Sequence, residues 1–129
     1  MAKKTLNIVD SAYRAVMEEQ DDTILWLLAA MKAAGAEHTI VLRGNAVCYA
    51  VAGQGAPALS IGSWQQTQAP RMDHDVSDLV EKRDTPVFVI EEDLVARGIE
   101  PSELIGSVKL VSRAALPAMC AEHAIVSMW

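Results

Sequence analysis

A chain of 129 residues, of which 51% are hydrophobic, is long enough to build one hydrophobic core, and we expect one domain over residues 1–129. The formal net charge is −6, and the eleven Lys and Arg residues are scattered along the sequence. Because a phosphate backbone is bound by clustered cations, this pattern argues against a nucleic-acid-binding protein, and anionic membranes are disfavoured likewise.

The sequence shows no targeting or membrane-spanning signal. No segment approaches the roughly 20 apolar residues of a transmembrane helix, and the stretch after Met1–Lys4 is too short for a signal-peptide core, so we expect a cytoplasmic protein. Cys48 and Cys120 are too few for a disulfide framework and should be free thiols. No zinc-ligand spacing or cofactor fingerprint is present, and the run Asp73–Asp75 is more typical of a helix start than of a metal site.

Three short β-branched runs lead directly into polar turns. The runs are Leu6–Val9, Thr39–Leu42 and Val87–Ile90. Apolar runs with little alternation are typical of strands buried on both faces, and hence of a parallel sheet joined by crossover helices. The carboxyl ends of parallel strands meet at one edge, where open α/β sheets bind their ligands. We therefore expect the polar turns to form the functional site.

The clearest helix begins at an N-cap among Asp21–Thr23 and ends at Gly35, with apolar residues at spacings of three and four. The segment Ser60–Pro70 has neither a helical nor a strand period, and its Trp64 favours a binding loop or a subunit contact. The other predicted elements are short helices over Ala46–Ala52, Asp75–Lys82 and Asp93–Arg97, a strand over Val108–Val111, a helix over Arg113–His123 and a strand over Ala124–Ser127. This order predicts a three-layer α/β/α sandwich around a five-stranded, mainly parallel sheet.

Two segments resemble a known family. Residues Val87–Ile99 resemble the strand, turn and Arg-Gly-Ile helix end of the DsrE/DsrF/DsrH-like family, which includes the subunits of the Tus sulfur relay. Residues Val41–Val47 resemble the strand and the Gly-Asp-Ala-Val turn of the same family. The order of the elements matches over most of the chain.

The resemblance implies a small parallel α/β/α sandwich that forms homo- or hetero-oligomers and, in the active sulfur carriers, holds a persulfide on one cysteine. That cysteine lies at the end of the third strand, seven residues before the arginine that corresponds to Arg97. Ile90 occupies this position here, so the usual relay cysteine is absent. Asn45 replaces the family's more usual Asp, which is a smaller departure because both residues cap helices.

Cys48 is the natural substitute for the missing cysteine. If Asn45 caps the helix that follows, Cys48 is its third residue, close to the unpaired N–H groups, the positive end of the helix dipole and Arg43. These features favour the thiolate, which is the nucleophile that accepts sulfur. The alternative is that Cys48 is an inert core residue among apolar neighbours, as we expect for Cys120.

Polar residues after the first two strands suggest a second kind of site. Ser11, Tyr13 and Arg14 follow the first strand, and Arg43 and Gly44 follow the second. Two arginines beside a helix N-terminus would suit a small anion such as thiosulfate, a persulfide or phosphate.

Glu91 and Glu92 would line the opposite wall of the site. Together with Asp93 they could repel one another enough to raise one pKa for acid/base work, or could hold a cation. The simpler alternative is that Asp93 caps the following helix, while the glutamates are solvated or paired with nearby arginines.

The leading hypothesis is a DsrE-like protein of sulfur metabolism that binds or relays sulfane sulfur, as a persulfide on Cys48, with Arg43 and Asn45 positioning the thiol and no cofactor. The resemblance implies a homo-oligomer, a trimer or a hexamer, with sulfur-relay proteins as further partners. Two alternatives stay open. One is a non-catalytic oligomeric interaction subunit that lost the relay cysteine, and the other is a small-anion or nucleotide-binding module that uses Arg14 and Arg43.

Overall fold

A computed structural model of the chain describes residues 3–13, 22–55, 57–67 and 69–129. Five strands form one parallel sheet in the order β6-β5-β2-β1-β7, and β3 and β4 form a separate antiparallel hairpin. The strands are β1 (Lys4–Val9), β2 (Glu37–Leu42), β3 (Ser60–Ile61), β4 (Trp64–Gln65), β5 (Val87–Ile90), β6 (Lys109–Val111) and β7 (Ile125–Met128). The predicted fold class, a three-layer α/β/α sandwich around a five-stranded parallel sheet, is confirmed.

Register places the strand ends of the sheet side by side. Val9 of β1 pairs with Leu42 of β2, and Leu42 pairs in turn with Val89 of β5. The turns after β1, β2 and β5 therefore begin at the same edge, as the parallel arrangement predicted from the apolar runs requires.

Within the described part of the chain, most of the hydrophobic core lies on one face of the sheet. Two α-helices, α1 (Thr23–Ala33) and α2 (Met72–Glu81), and a 3₁₀ helix (Gly44–Ala50) cover this face. Their apolar side chains pack on Val9, Ile40, Leu42, Val87 and Val89, which are at most 1% exposed. The strong burial of β-branched strand residues explains why the sequence pattern predicts these strands well.

The opposite face carries a smaller core. It comprises the buried side chains of Leu6, Ile8, Val41 and Ile90. The six-residue helix α4 (Leu116–Ala121) packs its Leu116, Met119 and Cys120 against this cluster. His123 connects the end of the helix to the sheet, because its Nδ1 lies 2.7 Å from the carbonyl oxygen of Met119 and its Nε2 lies 3.0 Å from the hydroxyl of Thr39 on β2.

Helix α3 (Glu91–Ala96) follows β5 directly.

Several element bounds differ from the sequence prediction. Helix α2 begins at Met72 rather than Asp75, because Asp73 turns inward instead of preceding the helix. The long helix predicted over 113–123 is a 3₁₀ turn (Arg113–Ala115) followed by α4. The unassigned segment 60–70 contains the β3–β4 hairpin. Among the helices of the described ranges, none has the length and hydropathy needed to span a membrane.

Asp22 begins α1 and ties it to the 3₁₀ helix. Its Oδ1 accepts hydrogen bonds from the backbone N–H groups of Ile24 (2.9 Å) and Leu25 (3.0 Å), so the predicted N-cap is confirmed. Its Oδ2 accepts a 2.6 Å hydrogen bond from the hydroxyl of Tyr49, and both side chains are fully buried. One carboxylate thus joins two elements that cover the sheet.

Replacing Asp22 by Ala should lower the free energy of unfolding by about 2 kcal/mol, because the helix loses its cap and the buried Tyr49 hydroxyl loses its acceptor. Urea denaturation measures the loss. The matched control is Asp22→Asn, which keeps a capping oxygen and should lose less than Asp22→Ala. Equal stability of Asp22→Ala and the unaltered chain would contradict this role.

Candidate functional site

The candidate site lies at the carboxyl edge of the sheet, where four chain segments meet. These are the turn after β1, the start of the 3₁₀ helix after β2, helix α3 after β5 and the turn after β6. The predicted meeting of the polar turns is therefore confirmed for the described residues. Arg14, predicted to face this edge, lies outside the described residues.

Asp93 is the centre of the polar network at this edge. Its Oδ2 accepts a 2.9 Å hydrogen bond from the Gly44 N–H, and its Oδ1 accepts one of 2.6 Å from the Arg113 guanidinium. Only 7% of the residue is exposed. Burial by itself would raise the pKa of Asp93, but the Gly44 hydrogen bond and the charges of Arg113 and Arg97 hold the pKa below its ordinary value. Asp93 is therefore a carboxylate at neutral pH.

Arg97 connects α3 to the 3₁₀ helix. Its Nε and Nη2 donate to the side-chain oxygen of Asn45 at 3.1 and 2.8 Å, and its Nη1 donates to the carbonyl oxygen of Asp93 at 3.1 Å. The capping roles considered for Asn45 and Asp93 are wrong. The 3₁₀ helix begins at Gly44 and α3 begins at Glu91, so both side chains lie inside the first turn and bridge elements instead.

Gly44 is favoured by its backbone conformation at the turn after β2. Its φ is +58°, in the left-handed region, and a Cβ built on it would overlap the carboxylate of Asp10. Arg43 turns to the same carboxylate, with its Nη2 3.7 Å from Oδ2 of Asp10. Arg43 is thus already ion-paired, and neither Arg43 nor Asn45 makes a hydrogen bond or ion pair with the Cys48 thiol.

The two glutamates at the start of α3 differ from each other. Glu92 Oε2 accepts a 2.6 Å hydrogen bond from the backbone N–H of Arg113, whereas Glu91 is exposed. Ser11 is exposed as well, and its backbone N–H donates to the carbonyl oxygen of Trp129 at 3.3 Å. The side chains of Glu91 and Ser11 are therefore free to meet solvent at the edge.

The charges at this edge do not favour an anion site. Within the described residues it presents four carboxylates against three guanidinium groups, and each guanidinium already contacts a carboxylate. An anion would have to displace one of these carboxylates or lie against a net negative surface. The carboxylates are Asp10, Glu91, Glu92 and Asp93, and the guanidinium groups are those of Arg43, Arg97 and Arg113.

Cys48 lies in a polar corner beside this network. It is the fifth residue of the 3₁₀ helix rather than the third of an α-helix, and it is half-buried. The side chain of Gln54 donates to its carbonyl oxygen at 2.6 Å, and the oxygen of the same amide accepts a 2.9 Å hydrogen bond from the Tyr13 hydroxyl. Burial raises the pKa of Tyr13, and the neighbouring Cys48 raises it further. The Tyr13 phenol therefore stays neutral beside Cys48.

Tyr49 is a contributor to this corner that the sequence interpretation missed. Its ring contacts the Tyr13 ring edge-on, with centroids 4.9 Å apart, and its hydroxyl accepts the Tyr13 N–H. Burial and the hydrogen bond to Asp22 raise the pKa of Tyr49 far above its ordinary value. A fully buried Tyr needs a partner for its hydroxyl, and this is the signal that could have identified it.

The other thiol and the relay position lie on the opposite face. Cys120 packs from α4 against the cluster that includes Ile90, whose side chain is fully buried. The expected core role of Cys120 fits this packing. Because Ile90 has no thiol and its side chain is fully buried, position 90 cannot carry a persulfide.

The metal interpretation of the acidic run in α2 finds no support. Asp73 accepts hydrogen bonds from the Gly53 N–H at 3.0 Å and from Arg71 at 3.3 Å. Burial would raise the pKa of Asp73, but these partners hold it below its ordinary value. Over the described ranges, no group of three His, Cys, Asp or Glu residues is placed to hold a metal ion.

Comparison with known proteins identifies the fold. The chain is similar to the YchN protein of E. coli, with a TM-score of 0.72 and 17% identity over 100% of both chains. It is also similar to a protein of unknown function, MTH1491, from Methanobacterium thermoautotrophicum, with a TM-score of 0.66 and 13% identity over 100% of both chains. No protein-family model and no curated protein sequence matches the chain. These likenesses support the DsrE-like fold that the sequence resemblance implies.

Replacing Asp93 by Asn should lower the free energy of unfolding at pH 7 by about 2 kcal/mol, because the charged hydrogen bonds to Arg113 and Gly44 weaken. The folded-state pKa of Asp93 is depressed, so its stabilisation is present above the unfolded pKa of about 3.9 and is lost as the pH falls through the lower folded value. Urea midpoints from pH 7 to pH 3 should therefore converge for the variant and the unaltered chain. Glu91→Gln is the control, and a pH-independent difference for Asp93→Asn would contradict the assignment.

Proposed function

We propose that the protein is a DsrE-like protein of sulfur metabolism that accepts and passes on sulfane sulfur, with Cys48 as the acceptor thiol. The observation that carries the proposal is the place of Cys48, half-buried beside Tyr13 and Gln54 in the helix that follows β2. The DsrE-like fold supports the family context. Proteins of the same relay would be the donor and the acceptor.

The place of Cys48 contrasts with that of Cys120. Cys48 follows the strand end at which α/β sheets bind their ligands, whereas Cys120 packs under the opposite face with apolar partners. A sulfur carrier needs a thiol that a donor can reach. Both thiols are partly exposed, so the preference for Cys48 rests on its position at the edge of the sheet where ligands bind.

The transfer of sulfane sulfur to Cys48 requires no oxidant. The Cys48 thiolate attacks the terminal sulfane sulfur of a persulfide or polysulfide, a sulfur–sulfur bond forms, and the donor's own sulfur–sulfur bond breaks. The electron pair of that bond leaves with the donor as its thiolate or shortened polysulfide. The neutral Tyr13 phenol adds no competing negative charge beside the new persulfide.

A second candidate function is supported by Ile90. The residue at the family's relay position is an isoleucine sealed within the core, and the arginines around the edge are held by carboxylates. A subunit that kept the fold and its contacts but lost the relay chemistry would show these features. The polysulfide experiment described below distinguishes this non-catalytic interaction subunit from a sulfur carrier.

We also propose that copies of the chain assemble into a homo-oligomer, a trimer or a hexamer. The β3–β4 hairpin carries Ile61 (67% exposed) opposite Trp64 (51% exposed), an apolar cross-strand pair in solvent. Met128 is exposed too, whereas Trp129 is partly buried and its Nε1 donates to Asn7, so Trp129 gives no support to an interface. Exposed aromatic and apolar pairs are typical of partner surfaces.

Cys48 should take up one sulfur atom from inorganic polysulfide. Intact-mass measurement should show an adduct of about 32 Da in the unaltered chain and in Cys120→Ser, but not in Cys48→Ser, and a reductant should remove it. An adduct that survives Cys48→Ser and disappears in Cys120→Ser would overturn the assignment. The absence of any adduct would favour the interaction subunit.

Light scattering behind a sizing column should give a mass well above 13.9 kDa at micromolar concentration. Trp64→Ala should lower this mass, because it removes the exposed aromatic of the hairpin. Trp26→Ala is the matched control, since Trp26 is similarly exposed (59%) but lies on α1. A monomer mass for the unaltered chain would refute the proposal.

A further inference from the structure

An apolar groove runs along α3 and the edge strand β6, and Cys48 is not among its lining residues. It has a volume of about 330 Å³, and its apolar lining comes from α3, the turn after it and the edge strand β6. Two of its side chains are unusually open to solvent for their type, Val95 (79% exposed) and Leu110 (38% exposed). The principal apolar residues of the groove are Leu94, Val95, Ile99, Pro101 and Leu110.

The groove borders an edge of the main sheet. Strand β6 is the last strand in the order and pairs with β5 on its inner side, and Leu110 is its central residue. The outer side of a terminal strand presents backbone N–H and C=O groups that can pair with another extended chain. An extended segment laid along β6 would place alternate side chains next to the groove.

The charged residues of the groove indicate which kind of peptide segment it would bind. Glu91 and Glu100 stand on its wall, both exposed, and no Lys or Arg lines it. No ion pair engages either carboxylate among the described residues, whereas Asp93 on the other side of α3 is ion-paired to Arg113. The Glu100 carboxylate also accepts the backbone N–H of Glu103 in a capping box, which leaves its charge in place. The groove therefore joins an apolar floor to two carboxylates that have no cationic partner among the described residues.

We propose that this groove is the docking site for an extended segment of a partner protein that alternates apolar and basic residues. The segment adds to the edge of β6, places an apolar side chain against Val95 and Leu110, and sets Lys or Arg side chains against Glu91 and Glu100. The proposal goes beyond sulfur transfer and does not require a reactive Cys48, since Cys48 is not among the residues that line the groove.

Paired peptides test the proposal on the full chain. The probes are acetylated, amidated pentapeptides in which Val, Leu or Ile alternate with a charged residue, which is Lys in one set and Glu in the matched set. The Lys set should shift the methyl resonances of Val95 and Leu110 in a methyl-labelled sample, and its binding should weaken as salt is added. Glu91→Gln combined with Glu100→Gln should weaken binding about three- to tenfold, the effect of losing two exposed charge pairs.

A point substitution locates the contact. Val95→Arg should abolish binding of the Lys set, because it places a cation in the groove, and it should leave the fold intact because Val95 is exposed. Ala96→Arg makes the same charge change at an exposed position of α3 that does not line the groove, and it should bind as the unaltered chain does. Equal binding of the Glu set, equal loss in both Arg variants, or methyl shifts confined to other surfaces would overturn the proposal. So would shifts of Leu110 that depend on protein concentration without peptide, because they would assign the edge to a second copy of the chain.

Discussion

The carboxylate of Asp93 is the interaction on which the carboxyl edge of this sheet depends. Three separate strand ends would otherwise place their turns near one another without fixing their relative positions. A single buried charge accepts a backbone N–H from the turn after β2 and a guanidinium from the turn after β6, while it stands in the helix that follows β5. A buried carboxylate is costly unless it is well partnered, so the same feature that stabilises the edge also penalises any rearrangement of it.

Much of the fold could be predicted from the sequence because burial on both faces leaves a clear signal. The runs around Val9, Leu42 and Val89 are mainly apolar with little alternation, and the Asp22 cap precedes a helix with a regular apolar period. The helix starts near Gly44 and Glu91 could not be predicted to the residue, because capping side chains there are used for long-range bridges. Local sequence patterns indicate buried residues and helix caps. Hydrogen bonds between separate turns depend on which turns the topology brings together.

The site was harder to predict than the fold for the same reason. The sequence places Arg43 and Asn45 close to Cys48 along the chain, yet the contacts give Arg43 to Asp10 and Asn45 to Arg97. Tyr13, which lies near the thiol, and Gln54, which donates to the backbone carbonyl oxygen of Cys48, come from different turns. Helix geometry alone does not decide the partner: Asn45 and Cys48 are three positions apart, a spacing at which 3₁₀ side chains eclipse, yet the Asn45 oxygen accepts from Arg97, which follows α3. The burial of Ile90 is what the apolar run of β5 predicts.

Among the described residues, the two faces of the sheet are covered unequally, and this affects how the molecule is expected to fluctuate. A six-residue helix does not form by itself in water, so α4 exists because it rests on Leu6, Ile8, Val41 and Ile90 and because His123 holds its end to Thr39. Its detachment would leave the larger core on the other face intact. Opening of this helix while the sheet and the larger core persist is therefore expected to cost less free energy than global unfolding.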